Sequence, residues 1–306
     1  MTAKKPPIPG LDDLIDIGAG LRAGVVTITP ALAAAWLNHF NYADNRNISQ
    51  ARTSLYSRRI AAGGWRLNAE AIIFDKESGL LNGQHRLKAV CDTNKAITCL
   101  VVVGVATETF TTMDQGYTRS GAQVFSMAGY ARGSVRASVC RAVYSWETSN
   151  GNMTAAPQRI APDELLLVQE TYSDQIDEAV LYADGVRKDV PMSSGLLGLA
   201  HFVLTTARPR KAAEFLQVLH DGFTGVKGHP ARCLRDRLIR DKLHDRMMPP
   251  DGQWWSLVRC WNIYDKGETM KHVAIKRDSN GNWTRVNIRG IKAMPAAAVK
   301  TAKQSA

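Results

Sequence analysis

The sequence predicts an α+β protein: an N-terminal part of short strands and helices, then a mainly helical region that closes on a hairpin. Three observations predict it. Up to about residue 130, brief β-branched runs alternate with segments whose apolar residues recur at helical spacing. From 131 to about 250 helical spacing takes over in one segment after another. Finally, Asn280-Gly281 lies between two short arms, Val273 onward and Trp283 to Val286, the pattern of a tight hairpin.

Taken in order, residues 1–25 are rich in Pro and Gly and are expected to form a loosely held arm. Val26-Thr27-Ile28 reads as a first strand, with Thr29 as N-cap and Pro30 at the first position of a helix carrying Leu32, Ala35, Trp36 and Phe40. The stretch Asn45–Ser49 breaks that helix, and a second runs from Gln50 to Ala62 and stops at Gly63-Gly64. Ala71–Asp75 is a strand, Lys76–Gly79 a turn, and Leu80-Leu81-Asn82-Gly83-Gln84-His85-Arg86-Leu87 passes from strand to helix. A buried-type strand follows at Ile97–Val103, then short helices near Glu108–Asp114 and Ser120–Gly129.

Amphipathic helices are expected at 135–146, 162–171, 175–186, 195–206, 211–219 and 230–247. A further helix spans Trp254–Tyr264. Its Trp254, Leu257, Val258 and Trp261 share a stripe, which favours core packing over stacking on unpaired bases. The domains expected are an arm (1–25), a first domain (26–130), a helical basic domain (131–293) and a disordered tail (294–306).

Composition sets limits on function. With 45% hydrophobic and 22% charged residues the chain can bury a core. No apolar run approaches a membrane span and the first residues lack a secretory apolar core, so a cytoplasmic protein is expected. Five cysteines, scattered and without a C-x-x-C pair, indicate neither a disulfide framework nor a zinc site. The charge of +11 is uneven: 19 Lys+Arg face 19 Asp+Glu up to Thr205, and 20 face 9 from Thr206 on. Arg232, Arg235 and Arg240, with Lys276, Arg277 and Arg285, stand out in that basic third as contacts for DNA phosphates. A solvated helix face is the alternative, because Asp236 and Asp241 sit among the arginines.

The most informative segment is Asn82-Gly83-Gln84-His85-Arg86. A Gly followed by an amide, an imidazole and a guanidinium, placed where a strand hands over to a helix, suits an anion, since the helix start offers free N–H groups and a positive dipole end. Its alternative is an ordinary turn whose polar heads cap the helix and pair locally. Downstream, Asp114-Gln115-Gly116-Tyr117-Thr118-Arg119 is a polar turn in which Asp114 is a candidate base or metal ligand and Arg119 a second phosphate clamp. No Walker-type Gly-Lys-Ser/Thr loop is present, which excludes a P-loop enzyme.

Together, Glu70–Asp75, Asn82–Leu87 and Met113–Gly116 resemble the DGQHR-type branch of the ParB/sulfiredoxin-like superfamily, common among phage and prophage proteins and DNA-modification loci. The resemblance covers residues 26 to 130 best. It implies a small mixed sheet flanked by helices and a nucleotide phosphate held at the Gly-x-x-Arg turn. Asn82 stands where the family usually has Asp, which removes a carboxylate from the motif. Sulfiredoxin chemistry needs a Cys in the anion turn, and none adjoins His85.

The resemblance implies a DNA-acting protein that binds a nucleotide or DNA phosphate through Asn82, Gly83, Gln84, His85 and Arg86, with Arg46 and Arg119 neutralising charge. In its catalytic form, nucleoside triphosphate and Mg²⁺ would support ATPase- or nuclease-like phosphoryl transfer or hydrolysis, with Glu70, His85 and Asp114 as catalytic groups and Glu70 and Asp114 sharing the metal. Two alternatives stand beside it: a non-catalytic ParB-like DNA-binding module, and a transferase that modifies DNA bases.

Overall fold

In the computed structural model, the described residues are 7–42, 45, 47–112, 119–149, 151, 160–275, 277, 279, 281, 283–284 and 286–291, without the side chains of 110–112. They form two compact units divided between Thr118 and Arg119. The chain is α+β, as expected: a five-stranded mixed sheet lies in the first unit and the second is helical.

Five strands, β1 (Ile15–Gly18), β2 (Leu21–Ile28), β3 (Ile72–Asp75), β4 (Leu80–Asn82) and β5 (Ile97–Val105), build the sheet of the first unit. Their order is β1-β2-β5-β3-β4, with β3 and β5 parallel and every other pair antiparallel. β5 is central because its alternating residues Ile97, Cys99 and Val101 are buried, and its register runs from Ile28 opposite Ile97 to Arg22 opposite Val103.

Helices α1 (Pro30–His39), α2 (Gln50–Ala61) and α3 (Gln84–Thr93) accompany the sheet. Thr29 caps α1 by accepting from the Leu32 N–H, and Ser49 caps α2 by accepting from the Arg52 N–H. Trp36, fully buried, meets Phe74 edge to face at 5.2 Å between centroids, joining α1 to β3.

The expectation of a loose arm through residue 25 is corrected. Leu11 and Leu14 are buried, the Trp36 indole donates to the Pro9 carbonyl at 3.1 Å, and the first half of β2 lies in the sheet. Periodicity missed this because β1 is an exposed edge strand, Ile-Asp-Ile-Gly, bordered by the positive-φ turn Ala19-Gly20. The boundary also falls earlier than residue 130, since the helix Gly121–Met127 packs on the helix Gly133–Thr148 within the second unit.

The second unit comprises α4 (Gly121–Met127), α5 (Gly133–Thr148), α6 (Pro162–Thr171), α7 (Ser173–Val186), α8 (Ser194–Ala207), α9 (Pro209–Asp221), α10 (Pro230–Leu243) and α11 (Pro250–Asp265). α8 lies close against α5 because a Cβ at Gly198 would meet Val139 Cγ2 at 2.4 Å. The tryptophan stripe is core: Trp254 and Trp261 are fully buried, against Trp146 and Phe215 respectively. Cys99, Cys140 and Cys260 are buried, and all five cysteines are free thiols. Of the expected hairpin, the described residues show an antiparallel bridge between Arg277 and Trp283. Among the described residues no helix is long and apolar enough to cross a membrane.

A buried acid makes the stability of this unit pH-dependent. Glu147 on α5 is buried and accepts from the Tyr172 hydroxyl through Oε1, while Oε2 has no partner. Burial pushes its carboxyl above the usual range, more than the Tyr172 bond pulls it down. The folded state therefore holds this proton to higher pH than the unfolded chain, and stability falls as pH rises through the folded pKa. Glu147→Gln should remove that dependence, so the variant gains urea resistance over wild type at about pH 8 and gains little at about pH 5. Equal differences at both pH values would contradict it.

Candidate functional site

The Asn82–Arg86 turn is built by backbone geometry first. Gly83 adopts φ +115°, and a Cβ there would stand 2.9 Å from Ile72 Cγ1, so only glycine lets the end of β4 enter α3 against β3. Its carbonyl accepts the N–H groups of Arg86 and Leu87 and opens the helix without a side-chain cap. Gln84, His85 and Arg86 thus occupy the first turn of α3.

All three side chains are buried, at 3%, 5% and 4% exposure, which sequence does not reveal. Gln84 Oε1 accepts from Asn41 Nδ2 at 3.5 Å, and Asn45 donates both to Asn41 Oδ1 and to the Leu80 carbonyl. His85 Nε2 accepts the Ser49 N–H at 2.9 Å, which leaves the ring proton on Nδ1. Arg86 donates to the main-chain carbonyls of Glu70 and Ala71. Among the described residues no carboxylate pairs with it, so a buried guanidinium stands at the positive end of α3 without a counter-charge.

Other expected site residues are distributed as follows. Asn82 is half-buried on the rim of the turn. The side chain of Glu70 is exposed, and it is the Glu70 carbonyl that reaches Arg86. Arg119 is exposed and belongs to the second unit. Arg46 and Asp114 lie outside the described residues, as do Lys276 and Arg285.

Among the described residues, no three His, Cys, Asp or Glu side chains come together as metal donors. Asp75 is the one described carboxylate buried in the first unit. Its oxygens accept from the Tyr42 and Thr107 hydroxyls and the N–H groups of Glu77 and Gly79. With its oxygens taken up by these donors, Asp75 does not make an Mg²⁺ site. Burial and the Asp75 bond push the Tyr42 hydroxyl up to about 12, so it remains a donor. A cavity of about 570 Å³ in the same unit, lined by Trp65, Arg66, Lys95 and Thr98 among others, does not include the turn.

In the basic third, Arg232 and Arg235 donate to the carbonyls of Gly222 and His220, which fastens α10 to the end of α9. Arg237 is paired with Asp241, and Arg277 lies over the Trp283 ring at 4.4 Å. Arg240 is exposed.

Sequence reasoning missed Asn41, Asn45 and Ser49, the partners that orient Gln84 and His85. The spacing Asn41-x-x-x-Asn45 before the Ser49 cap was their only trace. The fold and turn define an α+β chain whose small mixed sheet presents a glycine-opened helix start above a buried arginine. No family model matches this chain, and neither the curated proteins nor the solved structures contain a match to it.

Proposed function

We propose that this is a DNA-acting protein whose first unit binds a phosphate group, of a nucleotide or of DNA, at the Gly83 turn. The observation that carries it is Arg86: a buried guanidinium with no carboxylate partner among the described residues, in the first turn of a helix that starts at a positive-φ glycine. A buried cation in a low-dielectric setting, placed at the positive end of a helix dipole, favours an anion. The resemblance to the ParB/sulfiredoxin-like superfamily supports the same reading, and the basic last third supports DNA as the polyanion.

Between catalytic and non-catalytic forms, the hydrogen bonds favour binding. Gln84, His85 and Arg86 spend their heads on Asn41, Ser49, Glu70 and Ala71, the groups a phosphoryl-transfer mechanism would need to spend on substrate. The ATPase- or nuclease-like form, with nucleoside triphosphate and Mg²⁺, and the base-modifying transferase remain the second and third readings. Both would draw on Glu70, whose exposed side chain can be removed without disturbing the Arg86 bond to its carbonyl.

The test measures equilibrium binding of labelled duplex DNA and of fluorescent nucleotides to the full chain at several salt concentrations, together with release of phosphate and strand cleavage. Binding that weakens steeply with salt, with no turnover in wild type or Glu70→Ala, is the expected outcome. Turnover abolished by Glu70→Ala would replace it with the catalytic reading. Absence of both DNA and nucleotide binding at low salt would overturn the proposal.

A further inference from the structure

The basic residues of the second unit divide into two groups, and the division locates a contact surface. On α10, Arg232 and Arg235 bond to neighbouring carbonyls and Arg237 to Asp241, and Arg240 is exposed. At the junction of α8 and α9 the arrangement is different, because three cations converge on one carboxylate. Asp265, at the end of α11 with a side chain only 1% exposed, receives Arg208 Nε at 3.0 Å and Lys211 Nζ at 3.1 Å on Oδ1, and Arg289 Nε at 3.0 Å on Oδ2. Each of those cations is nearly half exposed.

This cluster is built. Its third member comes from the segment after the Asn-Gly turn, which three hydrogen bonds hold to α11. The Trp261 indole donates to the Arg289 carbonyl, the Arg289 N–H to Asn262 Oδ1, and Asn262 Nδ2 to the Asn287 carbonyl. Gly290 lies against Ala207 and Arg208, where a Cβ would approach to 3.2 Å. Burial pushes the Asp265 carboxyl up, but Lys211, Arg289 and Arg208 together hold it below the usual range, so it stays ionised.

One buried negative charge therefore orients three cations and leaves a surplus of two. Both arginines engage it through Nε, which leaves their terminal Nη groups available as donors. Arg210, exposed in the first turn of α9, adds a further cation. Glu214, one turn on, accepts from the Tyr264 hydroxyl. A fixed pair of guanidiniums flanked by the Lys211 ammonium and the Arg210 guanidinium matches the phosphodiester oxygens of a nucleic-acid strand, and fixing the pair in advance lowers the entropy lost on contact.

We propose that Arg208, Arg210, Lys211 and Arg289, organised by Asp265, form a phosphodiester-contact surface for a nucleic-acid backbone. This rests on the reading of the protein as DNA-acting, and it shifts the main contact from α10 to the start of α9.

The experiment is a salt titration of binding to a labelled DNA duplex by the full chain. It compares wild type with Arg289→Gln, Arg208→Gln, the surface variant Arg210→Glu, and, as the comparison, Arg187→Gln, whose cation is paired with Asp184. Arg289→Gln and Arg208→Gln should each weaken binding roughly 3- to 10-fold and lower the salt slope by about 1, and Arg210→Glu should do at least as much. Arg187→Gln should change affinity less than about 2-fold, on the order of scatter in such measurements. If Arg210→Glu and the folded glutamine variants bind as wild type does, the surface is wrong while the DNA-acting reading stands. If wild type binds no DNA, both fall. Circular dichroism on each variant separates loss of contact from loss of fold.

Discussion

Replacing Arg86 by Met should destabilise the first unit by about 3 kcal/mol, a larger effect than expected for any exposed residue of the motif. The guanidinium is buried and satisfies the carbonyls of Glu70 and Ala71 just before β3. Methionine keeps much of the stem but offers no donor, so two part-buried acceptors lose their partners at roughly 1–3 kcal/mol each, offset by relief of a buried charge. Lysine should not rescue it, because one ammonium cannot reproduce the fork that reaches two successive carbonyls. Hydrogen exchange of peptides spanning β3 and α3 in the full chain would show the loss directly. Unchanged protection there would mean that the two carbonyl bonds contribute little to stability.

Gly83→Ala is expected to cost a similar amount by a different route. A non-glycine residue at φ +115° is strained by about 1–3 kcal/mol, and its Cβ would press on Ile72, which is fully buried between the sheet and its helices. β3 and α3 would have to move apart, and the start of α3 would lose its alignment. Lower thermal stability by roughly 10 °C and loss of nucleotide or DNA-phosphate binding together are the expected results. Retained binding in a destabilised but folded variant would separate the turn's structural role from the phosphate site and count against the latter.

Much of the fold was legible in the chain. Thr29-Pro30 and Ser49 marked helix starts, Gly63-Gly64 a helix end, and the β-branched runs at 72–75 and 97–103 are the two parallel strands. In the second unit the expected helices 162–171 and 175–186 correspond to Pro162–Thr171 and Ser173–Val186, because each carries an apolar stripe at the 3.6-residue period. The tryptophan stripe at 254–261 was readable as core for the same reason.

What the residues by themselves determined is local: element type, the glycine that opens α3, and the imbalance of charge that makes the last third basic. These follow from periodicity, backbone freedom and counting, none of which needs a distant partner. Only the tertiary structure decided how the polar heads are used. Arg86 shows only its charge in sequence, and the structure alone reveals that it bonds to Glu70 and Ala71 some fifteen residues upstream, while His85 meets Ser49 from another element. Asp265 gathers Arg208 and Lys211 from the start of α9 and Arg289 from a segment some eighty residues on. A hydrogen bond or ion pair depends on distances of about 3 Å between groups that the chain brings together only when its apolar surfaces pack, and no one-dimensional spacing encodes that.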